Sequence, residues 1–391
     1  MTDHLDVQAV TPVAARGRLL RWFISSATLS VPQAAGPVAF SLLALQLEGA
    51  TSGGAAMILA MTIAQVAGAV PLTRLGSSVT PATALRFLLI FRAIALALMT
   101  LSAFWKMPLE VLVGLAAAAG LVNGAAFGYL RTVLNELTPA AKLPRALGIA
   151  ATLGEATFVL SPVLASALGS VSPLFAVCAM AVLGTLPALL VPSVGAKVQK
   201  AGVRSSEPTI TPEIMIWLLC STAGGAAVAA IEIGAVALAL EFGHAPALAI
   251  MFTVPLCLAS VAGGVWVSVR NRGASRAEVI LKLLLMSAGS ALVATSISVA
   301  TTIGGAVLMG FVLAPLSTHY SLELDKLAPP SKRAEIFALL RTANAMGVIF
   351  ASAMMTMGSI TTALVATTGL MICATLLVAV ASRRKLGTLR P

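Results

Sequence analysis

Apolar residues gather in twelve long stretches, near 20–44, 54–73, 84–104, 109–130, 146–168, 173–192, 214–240, 246–269, 277–298, 301–322, 334–356 and 360–381. Polar gaps separate them. About 20 residues carry a helix across the hydrocarbon at 1.5 Å per residue. Several stretches exceed that length, which implies tilt or an extra turn. Runs such as VLVGLAAAAGLVNGAAFG are apolar on every side. They predict helices rather than the alternating strands of a barrel. Hydrophobic residues make up 59% of the chain and charged ones 10%, with a mean hydropathy of +0.99. A water-soluble fold of this length could not hide so much apolar surface. The predicted class is an all-α integral membrane protein with twelve transmembrane helices.

The charges orient those spans. Of 25 Lys and Arg residues, 22 fall in alternate gaps or at the two ends. Arg16, Arg18 and Arg21 precede span 1, and Arg74 and Arg86 flank the gap after span 2. Arg131, Lys142 and Arg145 occupy the gap after span 4, and Lys197, Lys200 and Arg204 the gap after span 6. Arg270, Arg272, Arg276 and Lys282 bracket the gap after span 8. Lys326, Lys332 and Arg333 mark the gap after span 10, and Arg383, Arg384, Lys385 and Arg390 close the chain. Lys106 alone lies in a gap on the other side, and Arg92 and Arg341 fall within spans. The positive-inside rule places both termini in the cytoplasm. The net charge of +11 then needs no nucleic acid as partner. Span 1 is too long for a signal-peptide core and lacks a convincing cleavage site, so it is expected to remain as a helix.

The longest polar gap, VPSVGAKVQKAGVRSSEPTITPE, divides the twelve spans into six and six. The expected units are a bundle over 1–193, a cytoplasmic linker over 194–212 and a second bundle over 213–391. A repeat supports this division. Leu137 to Pro139 and Leu327 to Pro329 both read Leu-x-Pro, and each leads to an Arg-Ala pair, Arg145-Ala146 and Arg333-Ala334. Parallel repeats of this kind place a pathway between the halves near the bilayer midplane.

On these features the chain resembles the major facilitator superfamily over essentially its whole length. In finer detail it is similar to the bacterial drug-efflux, drug–proton antiporter branch. Where that branch carries Arg-x-x-Gln-Gly on helix 4, this chain has Gly120-Leu121-Val122-Asn123-Gly124. Where the branch has Gly-Pro on helix 5, it has Ser161-Pro162. The gap after span 2, Thr73-Arg74-Leu75-Gly76-Ser77, keeps the arginine and glycine of Asp-Arg-x-Gly-Arg and lacks the acid. The resemblance implies two pseudo-symmetric six-helix bundles in a bacterial inner membrane. It also implies a cavity lined by helices 1, 4, 7 and 10, a small-molecule substrate, protons as coupling ion, no cofactor and a monomer.

A charge inside a span costs several kcal/mol, about 2.5–3.5 on the milder insertion scale, and survives where it faces protein or water. Glu155 is expected about 14 Å along its helix. A carboxyl group away from water can exchange a proton near neutral pH, which is what a proton-coupled carrier needs; structural pairing with a cation is the alternative. Glu232, on cavity helix 7, could meet a cationic substrate or a proton, gate the outer mouth or snorkel outward. Arg341, about 10 Å into helix 11, could pair with a carboxylate or bind an anionic group. Glu335, six residues before it, lies off its face of the helix. Arg92, on peripheral helix 3, is expected to snorkel toward inner lipid head groups.

Uncharged polar groups join this set. Gln33 lies on helix 1 near Pro32 and Pro37, and prolines free backbone carbonyls that can face a cavity. Asn123 lies on helix 4, and His319 and Tyr320 near the inner end of helix 10. Gly120, Gly124 and Gly128 form a smooth ridge for close helix packing. Arg74, Arg145, Arg333 and Asp325 are the expected parts of a cytoplasmic gate.

The expected activity is alternating-access export of an amphiphilic or weakly polar organic molecule, driven by proton entry. A proton-coupled nutrient or sugar importer and a non-transporting receptor-like relic are the alternatives. Sugar sites of the superfamily tend to be rich in Asn, Gln and Trp. Trp22, Trp105, Trp217 and Trp266 fall mostly near span ends, where tryptophan anchors at the interface. Cys178, Cys220, Cys257 and Cys373 all fall in spans and read as small packing residues. No His/Glu/Cys spacing supplies an enzyme or metal site, and no phosphate-binding Gly-x-x-x-x-Gly-Lys-Ser/Thr loop occurs.

Overall fold

The computed structural model describes residues 12–48, 52–193, 210–244 and 246–387. Lys197, Lys200, Arg204 and Arg390, counted above among the basic residues, lie outside them, as does most of the central linker. Twelve helices among the described residues are long and apolar enough to cross a membrane. Span 1 is two segments, Pro12–Leu29 and Val31–Glu48, followed by span 2 at Ser52–Leu75 and span 3 at Pro81–Phe104. Span 4 is also two, Leu109–Leu121 and Asn123–Leu137. Spans 5 to 8 are Leu143–Gly169, Pro173–Leu190, Pro212–Glu241 and Ile250–Arg270. Spans 9 to 12 are Arg276–Thr295, Val299–Leu327, Arg333–Met357 and Ile360–Gly387.

Large apolar side chains stay on the outside, among them Phe87, Leu160, Leu189 and Val269. In water that would be unfavourable; toward acyl chains it is the preferred solvent contact. Inside, two buried apolar clusters draw on residues from Trp22 to Val191, and a third on residues from Ile214 to Val378. Between the two groups of six, span 11 packs on spans 2 and 4, and span 5 on spans 8 and 10.

The Leu-x-Pro repeat returns as a duplicated hairpin. Thr138 N donates to the Leu134 carbonyl at 2.9 Å, and Ala328 N to that of Leu324 at 2.8 Å. Pro139 and Pro329 then start one-turn 3₁₀ helices at Ala140–Lys142 and Pro330–Lys332, which lead into spans 5 and 11. A proline fixes the chain reversal in both copies.

Small residues let the two groups approach. Gly120 and Gly124 of the span 4 ridge face span 2, where a side chain at Gly120 would strike the Met61 backbone. Gly128 instead faces the other half, and a Cβ there would lie 3.1 Å from the Ala338 amide nitrogen. At the second crossing, a Cβ on Gly148 would lie 2.8 Å from the Gly264 carbonyl oxygen. The ridge thus joins span to span and half to half.

Four expectations are corrected. Arg92 does not snorkel. It is 2% exposed and donates to the Leu29 carbonyl at 3.1 Å and to the Gly184 carbonyl. Leu29 needs that donor because span 1 breaks at Ser30, where Gln33 N turns to the Ser30 carbonyl instead. Arg131 is not a gap residue. Span 4 runs on to Leu137, and Arg131 is 4% exposed within it. Trp22 is no interfacial anchor. It is buried, with Nε1 donating to the Leu130 carbonyl at 2.8 Å. The two exposed cysteines, Cys178 and Cys373, face outward rather than filling gaps in the core.

Arg92 holds a charge in the interior by bridging two carbonyls. Arg92→Met removes both donors and should cost roughly 2–3 kcal/mol, the scale of hydrogen bonds from a charged group. Thermal unfolding in detergent would show it; an unchanged midpoint would mean the bridge carries no stability.

Candidate functional site

Two sets of polar groups lie between the halves. The first begins with Gln33, just after the break in span 1, and Asn123, just after the break in span 4. Arg341 on span 11 reaches across and donates through Nη2 to Gln33 Oε1. A guanidinium can only donate, so Gln33 must present its oxygen. That oxygen also accepts from Asn123 Nδ2 at 2.9 Å, and the same amide donates to Gln65 Oε1 at 2.7 Å. Gln65 is 1% exposed and its Nε2 has no partner. The Arg341 guanidinium carbon stands 5.7 Å from the centre of the Phe127 ring, within cation–π range. A small pocket beside Gln33, lined also by Pro32, Met61, Arg92 and Ala119, reaches Asn123.

The second set lies farther along spans 5, 7 and 8. Glu155 is half-buried and Glu232 exposed. They come from opposite halves, yet the charge of Glu155 reaches Glu232. Cys257 on span 8 is close enough to feel both charges. The Ser260 hydroxyl, fully buried without a well-formed hydrogen bond, lies beside Glu155.

At the face rich in Lys and Arg, the expected gate residues all lie at contacts between the halves. Arg74 donates twice to Glu335 Oε1, from Nη2 at 2.8 Å and Nε at 3.2 Å. Asp325 accepts from Asn135 Nδ2 on the other half and lies 3.4 Å from Arg333 Nε. Arg145 contributes through its backbone, its N–H donating to Asn271 Oδ1 at 3.0 Å while its side chain is exposed. Asn271 caps span 8 in the left-handed conformation, φ 44°. From there its amide also donates to the Ala141 carbonyl at 3.1 Å.

His319 and Tyr320 pack elsewhere. Both are buried against Trp217 on span 7, with ring centres 5.0 and 5.8 Å away. They hold span 10 to span 7 and are not among the groups that Gln33 and Arg341 gather.

Several contributors were not singled out from the sequence. Gln65 is a polar residue in an apolar span and could have been. Arg131 stacks 4.6 Å over Phe337 of the other half and donates to Asn135, linking the gate to span 11. Glu335, Asn135 and Asn271 are short-range neighbours of gap residues, and their partners are set only by the packing.

Twelve spans in two packed groups, meeting around buried polar side chains, define a multi-pass membrane transport protein. The family model for the Major Facilitator Superfamily matches residues 22–352, and the chain belongs to that superfamily. No sequence relative among curated proteins matches it. Solved structures share the fold at low identity. A bacterial homologue of the iron transporter ferroportin in an outward-facing state is 15% identical, with TM-score 0.78, covering 94% of this chain and 97% of its own. The human organic anion transporter MFSD10 is 14% identical, with TM-score 0.73, covering 93% and 99%. A variant of the Escherichia coli fucose:proton symporter FucP is 15% identical, with TM-score 0.70, covering 93% and 98%.

The gate geometry makes a direct prediction. Asp325 is the anion between Arg131 and Arg333, both of which feel its charge or touch it. Asp325→Ala leaves two like charges at the contact between halves. Spin labels at Lys142 and Arg272, exposed on opposite halves, should then show a longer and broader distance distribution. An unaltered distribution would remove Asp325 from the gate.

Proposed function

We propose that this protein is a secondary carrier of the bacterial inner membrane, with both termini in the cytoplasm. It exports a small amphiphilic organic molecule by alternating access, in the manner of drug–proton antiporters. The bundles 1–193 and 213–391 rock against each other around the central polar groups. The basic face is the cytoplasmic one, so the arrangement described here is closed inward.

One observation supports proton coupling above the rest: Glu155 and Glu232, from opposite halves, are near enough for the charge of Glu155 to act on Glu232. Two carboxylates placed so cannot both stay charged without cost, and a proton relieves it. Rocking changes their separation and their access to water. The same motion that moves the substrate therefore changes how firmly the proton is held, which is the linkage an antiporter requires. Ser260 and Cys257 complete the surroundings of that proton.

The sugar-importer alternative has the amides Gln33, Gln65 and Asn123 in its favour and the tryptophans against it. Trp22 and Trp217 are held in helix packing, and Trp105 and Trp266 are exposed. None stands beside Gln33, Asn123 and Arg341 to stack on a sugar ring.

Purified protein in vesicles provides the test. With an imposed pH gradient, acridine-dye quenching reports proton movement as each compound of a lipophilic panel is added. Glu155→Gln and Glu232→Gln mimic the protonated state, and each should lower proton-linked flux about tenfold or more while the protein still folds. Parent-like flux in both variants would discard these carboxylates as the coupling groups.

A further inference from the structure

Arg341 presents a cation at the contact between the halves, and among the described residues its polar partner is an amide oxygen. No ion pair within 4 Å joins it to a carboxylate among those residues. Glu335, one and a half turns earlier on the same helix, is taken by Arg74. Asp325 is taken by Arg333 and Asn135. Of the other embedded arginines, Arg92 is fixed on two backbone carbonyls, and Arg131 lies over Phe337 beside Asp325 and donates to Asn135. Arg341 is therefore the embedded guanidinium still able to meet an ion, and it retains most of its five donors.

Its surroundings describe that ion. Gln65 Nε2, 1% exposed, is a buried donor with no acceptor one hydrogen bond farther along the same network. Phe127 offers a ring face beside the guanidinium. Pro32, Met61 and Ala119 supply apolar wall next to Gln33, and Arg92 lines the same pocket with its guanidinium held on the Leu29 and Gly184 carbonyls. Among the described residues, the set is rich in donors, has a single free cation and is otherwise apolar. A planar fork of donors fits a carboxylate in bidentate fashion. A doubly charged phosphate would call for a second cation, which Arg92 cannot supply from its fixed place.

We propose that the transported molecule is a small organic anion, an apolar body bearing one carboxylate, which Arg341 binds by displacing the side-chain oxygen of Gln33. This rests on the carrier reading above and sharpens its substrate class. Displacement has a mechanical consequence. The bond from Arg341 to Gln33 ties span 11 to span 1 across the two halves, and a bound carboxylate takes over the arginine and releases that tie.

Three matched sets of probes test it on the purified full chain: benzoate, benzamide and benzylammonium; hexanoate, hexanamide and hexylammonium; salicylate, salicylamide and 2-hydroxybenzylammonium. Thermal stabilisation should be confined to the carboxylates. Their affinity should fall at least tenfold in Arg341→Gln, while Arg341→Lys keeps the preference for anions at reduced affinity. Stabilisation by amides or amines to the same degree, no stabilisation by any carboxylate, or undiminished carboxylate binding in Arg341→Gln would each overturn the proposal. Should Arg341→Gln fail to fold, Gln33→Ala removes the competing amide and should tighten carboxylate binding several-fold; equal or weaker binding overturns it. Exchange of the same probes across vesicle membranes separates the two claims. Carboxylates that bind through Arg341 but never cross would sink the carrier reading and leave the anion site standing. Crossing confined to amines or amides would do the reverse.

Discussion

Hydrocarbon offers no hydrogen bonds, and every break in a helix that spans it must be repaired from within the protein. Span 1 shows how this governs the rest. Its interruption at Ser30 leaves a carbonyl at Leu29 without its usual donor, and Arg92 supplies one from span 3 while also holding Gly184 on span 6. A single charged side chain thereby fixes three helices of the first half. The same interruption sets the direction of Gln33, and with it the meeting of Asn123, Gln65 and Arg341. The polar centre exists because a defect in one helix is stabilised by another.

Contact between the halves is built on the opposite principle. Where spans 4 and 11 and spans 5 and 8 cross, glycines remove the side chains and bring backbones close. Dispersion over such surfaces is substantial, yet no bond has to break for the helices to part or slide. Polar ties are added at the basic face and, deeper in, between Arg341 and Gln33. Packing inside each half, by contrast, relies on interlocked side chains such as Phe40, Phe252 and Phe337, all fully buried. Rigid bundles with a smooth boundary between them are what a rocking mechanism needs.

Much of this was legible in the chain itself. The twelve spans and the duplicated hairpins follow from hydropathy, proline placement and helix length, properties that act locally. Gln33, Asn123, Glu155, Glu232 and Arg341 stood out because polar groups in lipid are costly wherever they point. Which of them meet was not legible, since that depends on helix rotation and on breaks at Ser30 and Val122. Arg92 and Arg131 were misread for one reason. The distance of a residue from the end of an apolar run gives its depth, not the neighbour it faces. Arg131 ended such a run in the sequence, yet its helix continues and its guanidinium stacks on Phe337 from the other half. His319 and Tyr320 show the converse, polar residues of span 10 that pack on Trp217 of span 7.

The duplicated architecture places two equivalent clasps at the basic face, and they are chemically unlike. One joins the end of span 2 to the start of span 11 through the ions Arg74 and Glu335. Its counterpart joins the end of span 8 to the start of span 5 through the uncharged Asn271 and backbone groups. Arg74 is 64% exposed, so dissolved salt screens the first seam and leaves the second nearly indifferent. A rise in ionic strength should therefore weaken the ionic clasp more than its neutral counterpart, so that the two seams respond unequally to the same solvent.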